Sequence, residues 1–319
     1  FNEPVDPKTW EILELEFFSK RKDVTLRSYL NGCDLSFLPD IPSVEKFIVE
    51  SYSEVNHIHL LTALANLKFL RVGVYKLNNF DFLYEISTKL KKLSLGETKS
   101  NRPSLEAISR FQDLKVVYIS GHMKGLNHLS KLSKIQKLSL NRLKSPQIDF
   151  LGDLPNLEWL DISLGGSDNL SNIAEAKKLK YLDLCWIRRL SDLEFISSCE
   201  SLQVLRLDRL KQVQKIPDLS KLDKLNELWL LTMKGLADIE NIRSCPSLEK
   251  LFIGSGNNFQ PESFETALTI PTLKHAFGGF GSDVKNNRFK KLAEKSGINT
   301  NRDLMDYLVF ELDIEKRGY

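Results

Sequence analysis

Residues 179–209 read LKYLDLCWIRRLSDLEFISSCESLQVLRLDR, and this stretch decides the fold. It holds the string L-x-x-L-x-L twice, as Leu179-Leu182-Leu184 and Leu202-Leu205-Leu207, with starts 202 − 179 = 23 residues apart. Between the copies, Leu193, Ile196 and Cys199 lead up to Leu202 in steps of three. A step of three suits tight 3₁₀ turns, and the step of two that closes each string suits a strand. Each copy therefore reads as one strand plus a short return. Such a unit cannot bury its apolar side alone, but stacked neighbours form a continuous core.

The pattern extends in both directions. Upstream lie Val44-Phe47-Val49, Leu67-Leu70-Val72, Leu90-Leu93-Leu95, Leu114-Val117-Ile119, Ile135-Leu138-Leu140 and Leu157-Leu160-Ile162. Downstream lie Leu225-Leu228-Leu230, Leu248-Leu251-Ile253 and a weak copy at Leu273-Ala276-Gly278. From 44 to 273 is 229 residues over ten steps, a mean of 22.9, and of the 11 × 3 = 33 key positions only Gly278 is not apolar. This pattern resembles the leucine-rich-repeat family, with a repeat length like that of internalins and of regulators of a protein phosphatase. The resemblance covers residues 35–281, about eleven repeats. It implies an α/β fold, a right-handed solenoid whose parallel strands line a concave face. The family usually carries Asn three residues after the last strand Leu. Here those positions read Tyr75, Thr98, His122, Leu143, Gly165, Ile187, Leu210, Met233 and Gly256, so the asparagine ladder is absent.

Terminal repeats of a solenoid expose core and must be capped. In the segment 1–34, WEILELEFF (10–18) and the stretch around Val24 and Leu26 alternate apolar with polar, which predicts an N-terminal β-hairpin cap. In the segment 282–319, residues 284–296 and 300–316 have a helical pattern. Thr300 and Asp303 resemble a capping box, and Leu304, Leu308 and Leu312 share one face, so a helical C-terminal cap is expected.

Composition narrows the function. Lys+Arg minus Asp+Glu is 45 − 42 = +3, too small a margin to make nucleic acid or an anionic membrane the main ligand. No run of eighteen apolar residues suggests a membrane span. Cys33, Cys185, Cys199 and Cys245 are far apart with no CxxC pair, which reads as reduced thiols and a cytoplasmic protein rather than a disulfide or zinc scaffold. The start of the chain lacks a basic-then-apolar leader; an upstream leader already removed would instead make it secreted or surface-borne. His57-x-His59 has no third ligand nearby, and GGFGSD (278–283) matches neither a dinucleotide nor a P-loop pattern. HExxH, GxSxG and kinase signatures are missing, so no catalytic residue, cofactor, metal or small-molecule substrate is expected. Bacterial leucine-rich effectors with ubiquitin-ligase activity carry a catalytic Cys after the repeats, and this chain has none after Cys245. The basic segment 284–296 reads as a solvated helix face rather than a nucleic-acid contact.

The residues between the leucines of each string point away from the core. Strands stacked about 4.8 Å apart line them up in rows. From Trp159 onward those rows gather Trp159, Tyr181, Trp186, Trp229 and Phe252 with Asp161, Asp183, Arg206, Asp208 and Arg209, with Tyr118 earlier. Aromatics and Arg are the types enriched at interface hot spots, and an exposed aromatic patch marks a partner. The leading expectation is therefore a non-enzymatic module that binds one protein partner on the concave face, as a regulator, an adaptor or a toxin-neutralising immunity protein. Stacking that merely stabilises the sheet is the plain structural alternative. Two other functions fit less well. One is an adhesin-type repeat protein that binds host protein or glycan. The other is a glycan hydrolase using Asp161, Asp183 and Asp208, which Arg206 and Arg209 would neutralise.

Overall fold

The computed structural model describes residues 5–29, 32–100, 102–256 and 258–301. Its strands run in chain order and pair in parallel. The chain forms two compact units, residues 1–157 and 158–319. In the first unit the strands are β1 (Leu26–Ser28), β2 (Lys46–Ser51), β3 (Phe69–Val74), β4 (Lys92–Leu95), β5 (Val116–Ser120) and β6 (Lys137–Asn141). In the second they are β7 (Trp159–Ser163), β8 (Tyr181–Cys185), β9 (Val204–Asp208), β10 (Glu227–Leu231), β11 (Lys250–Ile253) and β12 (His275–Gly278).

The step of three has a direct backbone cause. Ile196 N–H donates to the Leu193 carbonyl, Cys199 N–H to Ile196 and Leu202 N–H to Cys199, each at 2.9 Å. Consecutive three-residue turns therefore deliver an apolar side chain inward at every step until the strand begins. Leu193, Ile196, Cys199, Leu202, Leu205 and Leu207 are all buried. The return between β9 and β10 keeps the same spacing without a regular 3₁₀ segment, and Val213, Ile216, Leu219 and Leu222 are fully buried along it. Strand register follows the repeat frame throughout each unit: Phe47 pairs with Leu70, Leu182 with Leu205 and Leu228 with Leu251.

The ends differ from each other in how well their sequence forecasts them. The expected β-hairpin cap is not formed. Residues 7–18 are helical instead, as α1 (Pro7–Leu13) followed by a π-helical turn over Glu14–Phe18. Pro7 occupies the start of the helix, where its missing N–H costs nothing, and the Asp6 carboxylate accepts from Lys8 N–H. The apolar alternation of 10–18 is satisfied on a helix because Trp10 and Phe18 go inward while Ile12 and Leu15 stay exposed. Trp10 stacks on Phe37 with ring centroids 4.5 Å apart. The stretch around Leu26 is not a hairpin arm either. Leu26 pairs in parallel with Phe47, so β1 is one more strand of the stack, shortened and ahead of the first recognised repeat.

At the other end, α2 (Asp283–Lys295) is the expected helix. It buries Phe289 and Ala293. Gly278, the one key position without an apolar side chain, is glycine for a steric reason: a Cβ there would lie 2.6 Å from the Phe289 ring and 2.5 Å from Phe280. Past the helix, Ala276 N–H donates to the Asn299 carbonyl and Asn299 N–H to Lys274, so the chain returns along the edge of β12. The second helix expected over 300–316 lies outside the described residues beyond its first two positions.

The candidate protein-binding face

In the second unit, cross-strand register builds the rows that the repeat frame foretells. Trp159 is level with Tyr181, and Asp161 with Asp183, which is in turn level with Arg206. Arg206 is level with Trp229, and Trp229 with Phe252. The expected exposed aromatic patch is not what these rows make, because the side chains cover one another. Trp159 and Tyr181 stack with centroids 5.2 Å apart and planes 8° apart; Trp229 and Phe252 stack at 3.9 Å. Trp159, Tyr181, Trp229 and Phe252 are all buried, Trp229 to 2% exposure. Side chains on neighbouring strands stand about 4.8 Å apart, close enough for flat rings to exclude water from each other's faces.

The charges are also internal to the face. Asp183 is fully buried, Asp161 and Asp208 are buried, and Arg206 Nε stands 3.8 Å from Asp183 Oδ2 with its guanidinium 5.9 Å over the Trp229 ring. Burial works against the Arg206 charge, but Asp183, with Asp208, more than offsets it and holds the pKa above the ordinary arginine value. Burial, followed by the Asp183 charge, pushes the Tyr181 phenol up, so it stays protonated. Trp229 Nε1–H donates to Glu227 Oε1 at 2.6 Å, and Lys250 Nζ pairs with Glu227 Oε2 at 3.2 Å. The Arg206–Asp183 and Lys250–Glu227 pairs thus lie within the outward rows of the sheet.

One aromatic of the expected set does reach solvent. Trp186, just past β8, is 44% exposed. Arg209, in the corresponding place after β9, stands 5.9 Å over its ring and reaches Asp208 Oδ2 through Nη1 at 3.3 Å. Cys185 Sγ lies 3.5 Å from the same Asp208 oxygen and is half-buried. Both Trp186 and Arg209 hold a left-handed backbone, with φ of 52° and 54°.

That conformation recurs, and it precedes six of the nine positions that lack asparagine. Gly121 and Arg142 in the first unit, and Leu164, Trp186, Arg209 and Thr232 in the second, all have positive φ two residues after the last strand key position. The backbone N–H groups of four of them reach the next turn directly: Gly121 donates to the Asn141 carbonyl, Leu164 to Cys185 and Arg209 to Leu231, each at 2.9 Å, and Trp186 to Asp208 at 2.8 Å. The left-handed residue also turns the following side chain inward. Leu143, Ile187, Leu210 and Met233 are buried there, where an Asn amide would otherwise bridge the turns. His122 takes the same place and donates through Nε2 to the Gly96 carbonyl at 2.9 Å. Backbone bonds and apolar burial thus replace an amide ladder.

Tyr118, the remaining expected site residue, is half-buried on β5 in the first unit, with Lys92 Nζ 5.5 Å from its ring centroid. The first unit also exposes aromatics that the frame-by-frame reading passes over: Tyr29 at 54%, Tyr52 at 84% and Tyr75 at 43%. Here β2 and β3 run on past the frame, burying Ser51 and Val74, so strand alternation sends Tyr52 and Tyr75 outward. The signal was present in the sequence as an extra apolar or small residue two places beyond Val49 and Val72.

No family model and no curated protein matches the chain. Among solved structures, it is similar to an internalin (inlF) from Listeria monocytogenes str. 4b F2365. The TM-score is 0.67 at 16% identity over 92% of this chain and 93% of that one. A second internalin, C2 (inlC2) from the same strain, gives a TM-score of 0.48 at 17% identity, covering 62% of this chain and 82% of that one. Together with the parallel strands, the 3₁₀ returns and the terminal helix, the first of these likenesses makes the architecture an internalin-like leucine-rich-repeat fold.

Proposed function

We propose that this chain is a non-enzymatic module that binds a protein partner through the rim of its second unit, with Trp186 and Arg209 as the anchor pair. The observation that supports this reading is the contrast between Trp186 and the other tryptophans. Trp159 and Trp229 are consumed by the fold, whereas Trp186 stands 44% exposed on a left-handed residue whose N–H is pinned to Asp208. The left-handed backbone itself is shared with Arg142, Leu164 and Thr232, so what sets Trp186 apart is its exposed indole. Trp and Arg are also the residue types that dominate interface energetics, and a rigid rim loses little entropy on docking. Around this pair, Cys185, Asp208 and the half-exposed Leu164 and Thr232 form the polar and apolar border of the contact. Among the described residues no helix is long and apolar enough to cross a membrane.

The test is a pull-down from lysate of the source organism with wild type, Trp186→Ala and Arg209→Ala, after circular dichroism shows equal folding. A single partner held by wild type and lost about tenfold or more in both variants is the expected result. Equal capture by all three would remove the anchor role. The identity of the captured protein separates a regulator or adaptor from a toxin-neutralising immunity protein.

A further inference from the structure

The first unit offers a second surface, made of different residues and with its own chemistry. On its strands the outward positions carry Arg27, Lys46, Arg71, Lys92 and Lys137 and one carboxylate, Glu50, and Lys46 Nζ donates to the Asp23 carbonyl at 3.2 Å. Glu50 is already held from both sides, by Arg27 Nη2 at 2.5 Å and Arg71 Nε at 2.8 Å. Beside this strip stand the exposed Tyr29, Tyr52 and Tyr75. Tyr75 N–H donates to the Ser51 carbonyl at 2.8 Å, which keeps the last two tyrosines on adjacent turns. Ammonium and guanidinium groups donate hydrogen bonds without accepting, and a phenol adds another donor. The surface therefore presents donors and positive charge together, and its complement is a segment rich in carboxylates.

The spacing says more about that segment. Lys46, Lys92 and Lys137 occupy one row on alternate strands, with Phe69 and Val116 between them. Two strand spacings come to about 9.6 Å. A polyproline II segment repeats its facing side chain every three residues, a rise of about 9.3 Å. Lys92 is held between two rings, 4.9 Å from the Phe69 centroid and 5.5 Å from Tyr118, so its ammonium is positioned before any ligand arrives. We infer that the outward face of β2–β6, with Tyr52 and Tyr75 at its border, docks an extended acidic protein segment that crosses the strands with a carboxylate at about every third residue. A nucleic acid fits less well. Its phosphates follow one another far more closely than lysines on alternate strands, and Glu50 stands beside the path.

This surface shares no residue with the Trp186 rim and stands or falls separately. The test is fluorescence anisotropy of the whole chain with a labelled peptide of Glu-Pro-Pro triplets, against a peptide of the same composition with its Glu residues bunched. A labelled single-stranded oligonucleotide is the third probe. Saturable binding of the triplet peptide, weakened about tenfold or more by Lys46→Glu with Lys92→Glu and also by the uncharged change Tyr52→Ala, is expected. The bunched peptide should bind more weakly. Equal binding by both peptides, unchanged binding in the variants, no saturable binding, or tighter binding of the oligonucleotide would each overturn the assignment.

Discussion

Three tryptophans of the second unit, Trp159 on β7, Trp186 just past β8 and Trp229 on β10, do different things, and the difference is measurable. Trp229 is 2% exposed between Phe252 and Arg206 with its indole N–H bound to Glu227. Trp229→Ala should lose about 3–5 kcal/mol of stability in urea denaturation, the usual cost of emptying a buried aromatic site. Trp186→Ala should stay within about 0.5 kcal/mol of wild type, since an exposed side chain contributes little to folding. A large loss at Trp186 would mean that its ring is structural, and the proposed rim would fail with it. The cysteines divide in a similar way. Burial pushes the Cys199 thiol up to about 12, and raises those of Cys33 and Cys245 above the ordinary value. An alkylating reagent at neutral pH should therefore modify Cys185 first, with the buried three reacting only on unfolding. Peptide mapping by mass spectrometry would decide it, and early labelling of Cys199 would contradict the burial argument.

At the scale of one repeat, the left-handed residue that follows β5–β10 carries the geometry. Thr232 is the least comfortable of the series, a β-branched residue at φ 54°. Thr232→Gly should raise stability by about 1 kcal/mol, because glycine adopts this region without the Cβ clash. Denaturant titration would show the gain, and a loss would mean that the Thr232 side chain contributes more than its strained backbone costs. The ladder position beside it was legible in the sequence only as an absence. Leu143, Ile187, Leu210 and Met233 stand where the family's asparagine was expected, and only the structure shows them buried. What replaced the amide was a backbone bond, and backbone bonds leave no residue signature. The amino-terminal cap departs from its apolar pattern for a local reason. The alternation of Leu13, Leu15 and Phe17 with Glu14 and Glu16 suits a strand, but Asp6 and Pro7 form a helix start, and local capping won over a short alternation.

Across the whole chain, stability should depend on pH through His122. It is fully buried, donates to the Gly96 carbonyl and meets the edge of Phe80, with ring centroids 4.8 Å apart. Burial lowers its pKa, against the smaller opposing effects of the Gly96 bond and Glu97. The sign follows from linkage. Above the unfolded pKa of about 6.5 both states are neutral and the folded state carries no penalty. As pH falls below that, the unfolded chain takes up a proton that the folded chain refuses, so stability declines until the folded pKa is reached. Each unit of pKa difference corresponds to about 1.4 kcal/mol. Wild type minus His122→Asn, measured by denaturation from neutral to mildly acidic pH, should show this decline. A difference that does not change with pH would remove His122 as its source.

Much of the protein follows from one dimension of information. A period near 23 residues, with steps of three and then two, specifies strands, returns, register and the inward set, because each repeat meets only its neighbours and the same contacts recur. The membership of the outward rows follows too, since alternation along a strand admits no other arrangement. Which row members remain available to a partner was settled by tertiary packing. Trp159, Tyr181, Trp229 and Phe252 face away from the core and are nevertheless buried, because parallel strands bring flat rings within stacking distance of each other. Trp186 escapes through a positive φ, and Tyr52 and Tyr75 through strands that run two residues longer. Periodicity assigns each side chain a direction, but its solvent exposure depends on neighbours from other repeats and on how each strand ends.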